Sequence, residues 1–204
     1  MANKLYEEST IQALADAIRS KSGKTDKMTV SDMATETENL FDAKRFIEGT
    51  ATDLKIPENV TKIKDYSFYN CTNLALTSLP EGITSIGIHA FYNCTNLALT
   101  SLPEGLTSIS DNTFYNCSNL ALTSLPEGIT SIGQNSFANC TGFITLTFKG
   151  TPTSIHLNAF SGYTNLTTIN VPWSEGAVAN APWGATKATI NYDYVEESEE
   201  ETES

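Results

Sequence analysis

At 204 residues there is room for one elongated domain and small flanking pieces, and 40% apolar with only 18% charged residues leaves Ser, Thr and Asn to cover a β-rich surface. A formal charge of −12 without a basic stripe argues against a phosphate backbone, so no nucleic acid partner is expected. No apolar run approaches the roughly 18 residues of a membrane span, and the opening MANKLYEESTIQ lacks the basic-then-apolar pattern of a secretory signal, so neither membrane insertion nor signal-directed export is expected.

Residues 1–48 differ from the rest and predict a small helical module. Thr10 can cap a helix whose apolar positions Ile11, Leu14, Ala15 and Ile18 follow helical spacing, with Gly23 as its stop. A second short helix is expected after Thr29, with Asp32 as capping partner and Met33 and Leu40 buried. Lys21, Lys24 and Lys27 make the connection basic.

Residues 49–172 are governed by a 23-residue period, with copies starting at Val60, Ile83, Leu106, Ile129 and Pro152. FYNCTNLALTSLPEG from Phe68 recurs from Phe91 and, with Ser118 for Thr, from Phe114. So short a unit cannot bury its own apolar face, and the copies must stack into a solenoid with short parallel strands. One strand is expected near residues 77–79, closed by the recurring proline (Pro57, Pro80, Pro103, Pro126, then Lys149 and Pro172), which removes a ladder donor. Another is expected near residues 84–86, followed by a tight helical turn at residues 91–94 and its equivalents. Stacking then predicts three inward columns: Ile63, Ile86, Ile109, Ile132 and Ile155; Phe68, Phe91, Phe114, Phe137 and Phe160; and Leu74, Leu97, Leu120, Phe143 and Leu166.

Open ends of a stack invite edge-to-edge association. Residues 173–194, with Trp173, Trp183 and ATINYDY, are placed to cap one end, and the N-terminal helices the other. Trp183 is read as a cap residue in preference to a binding aromatic. Residues 195–204 carry six glutamates and no base, and are expected to form a disordered acidic tail, either a solubility element or a contact for a partner. With the N-terminal helices counted, the fold class is α+β.

Cys71, Cys94, Cys117 and Cys140 fall one per coil, with Tyr163 at the next equivalent position. A metal needs converging ligands and a disulfide needs facing Cβ atoms, whereas a stack sets the four in line, which favours reduced packing residues. Glu58, Glu81, Glu104 and Glu127 form a row that either shares cations or, as preferred, lies in solvent. Asn70, Asn93, Asn116 and Asn139 sit in N-C-[ST] sequons that the repeat generates automatically, and are assigned to satisfying backbone groups in the turn. No nucleophile elbow, phosphate loop or zinc-binding histidine pair occurs, and His89 and His156 lie on well-separated coils. No catalytic, cofactor-binding or metal residues are therefore expected.

The informative surface is where near-identical copies differ. The three positions after the inward isoleucine read Lys64, Asp65, Tyr66; Gly87, Ile88, His89; Ser110, Asp111, Asn112; Gly133, Gln134, Asn135; and His156, Leu157, Asn158. They form either a tunable recognition stripe or a turn that tolerates any residue. The candidate binding residues are Tyr66, Ile88, His89, Asp111, Asn112, Gln134, Asn135 and Leu157.

The unit C-x2-L-x4-L-P-x2-[IL]-x2-I-x4-F-x2-C, carried by Cys71, Leu74, Leu79, Pro80, Ile83, Ile86, Phe91 and Cys94, resembles the BspA-type leucine-rich repeats of bacterial surface proteins. The resemblance implies a right-handed leucine-rich-repeat solenoid. Two departures stand out. Ser67, Thr113 and Ser136 replace the Ala that precedes Phe in the family. Leu76, Leu99 and Leu122 sit one place early, which predicts a locally shifted strand. Residues 11–33 resemble an N-terminal module of phage and prophage tail proteins from Gram-positive bacteria, and residues 169–194 resemble an ending such proteins carry. These resemblances imply a non-enzymatic virion tail protein, made in the bacterial cytoplasm. Residues 1–48 would join other tail proteins, the repeats would bind a bacterial cell-surface polysaccharide or protein, and a homo-oligomer would add avidity. The alternatives are a BspA-like bacterial surface adhesin binding host proteins and a purely structural scaffold.

Overall fold

The computed structural model describes residues 56, 58–162 and 165–196. The helices predicted within residues 1–48 lie outside the described residues, as do residues 197–204 of the acidic tail.

Two parallel ladders run along the stack. One consists of β1 (Lys62–Ile63) and β2 (Ser85–Ile86), then β3 (Ser108–Ile109), β5 (Ser131–Ile132) and β7 (Ser154–Ile155); the other of β4 (Ser124–Leu125), β6 (Thr145–Phe148), β8 (Thr168–Asn170) and β9 (Thr189–Asn191). The first ladder is interrupted between β2 and β3: Ile63 pairs with Ile86, and Ile109 with Ile132 and then Ile155, each 23 residues on. The isoleucine points inward and the residue before it outward, the alternation a half-buried strand requires.

The second ladder begins late, at β4, where Leu122, Thr123, Ser124 and Leu125 repeat the run of the early copies but face the alternating β6. In the early copies Leu76 and Leu79 are both buried while Thr77 and Ser78 between them are exposed. Residues 77–79 form no ladder, where a strand is expected from sequence. Leu99 and Leu102 repeat the pattern. In β6, Thr145, Leu146, Thr147 and Phe148 restore strict alternation and a four-residue strand forms. Lys149 stands there in the proline position, and its N–H donates to the carbonyl of Leu125 (3.3 Å), the bond that proline removes elsewhere.

All three predicted columns are buried. The phenylalanines stack face to face, with centroids 5.1 Å apart for Phe68 and Phe91 and 5.4 Å for Phe137 and Phe160. The turn beneath them is not helical, and no helix occurs among the described residues. Cys94 N–H donates to Phe91 and Tyr92 N–H to His89, while alternate N–H groups cross to the next coil, as from Phe91 to Thr113 (2.9 Å) and from Asn93 to Tyr115 (2.7 Å). These crossings need left-handed backbone at the third variable position and at the asparagine: φ is 56° at His89 and 58° at Asn93. A helix would direct all these donors within the coil. The helical part of the α+β expectation therefore rests only on residues outside the described ones.

Asparagine thus serves a conformational role in place of the backbone-satisfying one expected, since it tolerates left-handed φ better than most side chains. Its amide also forms a ladder, Asn93 donating to Asn70 (3.2 Å) and Asn116 to Asn93. Gly162 takes the position in the next coil with φ 76°, and a Cβ there would overlap the Asn139 side chain.

After β8 the chain makes one further turn. Trp183 is buried, its Nε1–H donates to Ala179 O (2.7 Å), and it lies against Trp173 (6.2 Å) and Phe148 (6.1 Å). It is packed within the core and presents no surface to a ligand. β9 then pairs with β8, Ile169 beside Ile190.

Candidate recognition surface

The variable positions are coupled between coils. The Asp65 carboxylate accepts the N–H of Ile88, and Asp111 accepts that of Gln134, both at 2.7 Å. A Cβ on Gly87 would overlap the Asp65 carboxylate oxygen and backbone nitrogen, and one on Gly133 would overlap the same atoms of Asp111. Where the second variable residue is Ile88 or Gln134, the next coil instead opens with Ser110 or His156. Glycine thus follows aspartate, one coil on. Part of the variation is a packing rule, and the stripe is neither wholly tunable nor wholly tolerant.

The eight candidate residues separate into two groups. Tyr66 and His89 stack at 4.9 Å on the early coils, with Ile88 40% exposed beside them. Asn112 and Asn135 continue the same column with φ of 54° and 52°. Leu157, 53% exposed, is on the last coil. Sequence reading missed a partner of the first group: Tyr69, Tyr92 and Tyr115 form a half-buried stack with spacings of 4.9 and 4.7 Å, adjoining Tyr66 and His89. The signal was their 23-residue interval, the same one that marked the phenylalanines. Burial pulls the His89 pKa below its ordinary value, with Asp111 and Asp65 opposing the shift. Its Nδ1 is buried without a hydrogen-bond partner among the described residues.

Asp111 and Gln134 belong to the second group, at the rim of a shallow open groove of ≈ 480 Å³ over β3, β5 and β7. Ser108, Ser131 and Ser154 lie side by side in that groove, and His156 and Asn180 complete its polar rim. The N–H of Asn158 donates to His156 Nδ1 (3.1 Å), which leaves the proton on Nε2 as a donor. Ile109, Ile132 and Ile155 contribute backbone only, their side chains being buried in the core.

The cysteines are free and buried. Cys94, Cys117 and Cys140 each direct Sγ toward the phenylalanine carbonyl 26 residues earlier, at 2.9–3.0 Å. Burial pushes the Cys71 thiol up to about 12 and holds Cys94 and Cys117 well above the usual range, so thiolate chemistry is suppressed. Glu58, Glu81, Glu104 and Glu127 are all exposed, and Lys149 bonds Glu104 at 3.0 Å. Among the described residues no three His, Cys, Asp or Glu side chains converge as a metal site would require.

Residues 40–167 match the model of the BspA type leucine rich repeat region, in six copies. A leucine rich cell surface protein from Faecalibacterium prausnitzii is similar in structure, with 30% identity and a TM-score of 0.56 over 68% of this chain. The pneumococcal vaccine antigen PcpA shares the fold at 21% identity, with a TM-score of 0.51 over 72% of the chain. The match spans only 38% of the first protein and 43% of the second. Among curated proteins none matches.

Proposed function

This chain belongs to the BspA-type leucine-rich-repeat family, and from that premise we propose that it is a non-enzymatic recognition protein acting at a bacterial surface. It holds its ligand on the face where the variable residues meet the first ladder. The observation that carries this reading is that Asp111, Gln134 and His156, all at positions that differ between near-identical coils, line one groove. The core columns carry the stacking energy, so outward positions are free to be selected for contact. The likeness to a cell surface protein supports the location.

A second reading places the same surface on a virion tail. It rests on the resemblance of residues 11–33 and 169–194 to tail-protein segments, with a bacterial surface polysaccharide or protein as receptor. The two readings differ in where the protein is found: cell-envelope fractions for the first, purified virions for the second.

The test is adhesion of the labelled full chain to a panel of Gram-positive gut bacteria and to host matrix proteins. Beside it run a groove variant, Gln134→Ala with His156→Ser, and a variant outside the groove carrying Tyr66→Asn, His89→Asn, Ile88→Gln and Leu157→Gln. Asparagine keeps the left-handed turns, as Asn112 and Asn135 do, so folding is retained. Strain-selective or matrix-selective adhesion, weakened in the groove variant more than in the other, is expected. Adhesion to none of these surfaces would remove the recognition reading.

A further inference from the structure

We propose that the groove over β3, β5 and β7 is a binding site for a neutral oligosaccharide; this rests on the recognition reading above and names its ligand class. The argument proceeds by what the lining offers. Ser108, Ser131 and Ser154 stand at successive 23-residue positions, and their hydroxyls make no hydrogen bond to another described residue. Hydroxyls on adjacent strands repeat at about 4.8 Å, close to the length of one sugar ring. Around this row the Asp111 carboxylate accepts, His156 Nε2–H donates, and the amides of Gln134 and Asn180 do both. A mixed set of donors and acceptors on one shallow surface matches a polyhydroxylated ligand.

Other ligand classes fit less well. No lysine or arginine lines the groove and Asp111 stands at its rim, so an anionic ligand meets repulsion without compensation. A metal ion finds one carboxylate and no cluster of ligands. An apolar ligand finds no large apolar side chain to pack on, since Ile109, Ile132 and Ile155 are buried. A peptide cannot add as a strand, because the backbone is spent between coils: Gly133 N–H on Ile109 O at 2.8 Å and His156 N–H on Ile132 O at 2.9 Å. The volume of ≈ 480 Å³ lies within the usual range for small-ligand sites.

The experiment is ligand-observed NMR on the full chain with neutral gluco-, manno- and galacto-oligosaccharides, and with oligogalacturonates as acidic counterparts. Ser131→Tyr fills the middle of the groove from an outward strand position that tolerates an aromatic ring. Saturable binding of a neutral oligosaccharide, weakened about tenfold or more in this variant, is the expected result. If Ser131→Tyr loses its cooperative melt, the combination Ser108→Ala, Ser154→Ala and Gln134→Ala reads the same site, since those side chains hold nothing else in place. Binding of acidic sugars alone, equal binding by wild type and variant, or no binding to any sugar would each overturn the proposal. Adhesion measured in parallel separates the two claims. Cell adhesion that persists without sugar binding removes the ligand class and leaves the recognition reading, whereas loss of both removes both.

Discussion

At Gly87 a single added methyl group would occupy space already held by the backbone nitrogen of Asp65, and Gly133 stands in the same relation to Asp111. Backbone cannot swing aside as a side chain can, so Gly87→Ala or Gly133→Ala should each cost about 1–3 kcal/mol as overpacking, read from the urea midpoint. The converse change, Ser110→Gly, relieves no overlap in the wild type and removes the Ser110 Oγ–H donation to Ile86 O (2.9 Å), so it should cost about 0.5–1.5 kcal/mol. His89 gives a second residue-scale expectation. Its pKa is lowered in the folded chain by burial, with Asp111 and Asp65 opposing, while Tyr66 and Tyr92 pack against the ring. The unfolded state therefore binds a proton near pH 6.5 that the folded state refuses, and stability present above that pH declines as the pH falls through it. Thermal midpoints measured from about pH 7.5 to about pH 5.5 should fall less steeply for His89→Asn than for wild type. Equal slopes would show that the imidazole does not contribute.

At the scale of the element, the stacked phenylalanines and the short ladders divide the work. Phe114 is fully buried between Phe91 and Phe137, with centroids 5.5 Å from each. Phe114→Ala opens a cavity that neighbours cannot close without breaking two stacks, and should cost about 3–5 kcal/mol by chemical denaturation. The ladders contribute register. Lys149 tests this, because its N–H is bonded where other copies have proline. Lys149→Pro restores the repeat consensus yet should destabilise by about 0.5–1.5 kcal/mol, the worth of one hydrogen bond. Its exposed pair with Glu104 adds little to that figure. A stabilised Lys149→Pro variant would mean that consensus, and not the local bond, decides the position.

For the whole molecule, a solenoid is close to one-dimensional, and each coil is answerable mainly to its neighbours. Removing residues 87–109, one full 23-residue unit, joins Ile86 to Ser110 and sets Ser110 against Asp65 where Gly87 had been. The shortened chain keeps every column in register but carries one overlap. Adding Ser110→Gly to the deletion should therefore recover about 1–3 kcal/mol, although the same substitution destabilises the full chain by loss of the Ser110–Ile86 hydrogen bond. The thermal midpoints of the four proteins form a double-mutant cycle, and additivity would refute the coupling of aspartate to glycine across coils. The same near-neighbour logic lets outward residues change coil by coil without endangering the core.

The 23-residue interval by itself determined the solenoid and its three buried columns, because identical spacing on a stacked coil brings identical side chains into line. It also made the cysteines packing residues, since a line of thiols cannot converge on a metal. The early placement of Leu76 and Leu99 predicted a shifted strand, whereas those copies carry no strand at that position. Three features were decided only by the tertiary structure. The turn after Ile63, Ile86, Ile109 and Ile132 is left-handed at its third residue and the turns are bonded to the next coil, which depends on φ and on partners more than 20 residues away. The tyrosine stack needed ring positions, although its period was on view. Most of all, the variable residues proved to be of two kinds. Asp65 and Gly87 are tied by close contact between coils, whereas Asp111 at once holds Gln134 and faces a groove. Sequence shows that positions differ; only the distance between their atoms shows which differences packing imposes and which are left for a ligand.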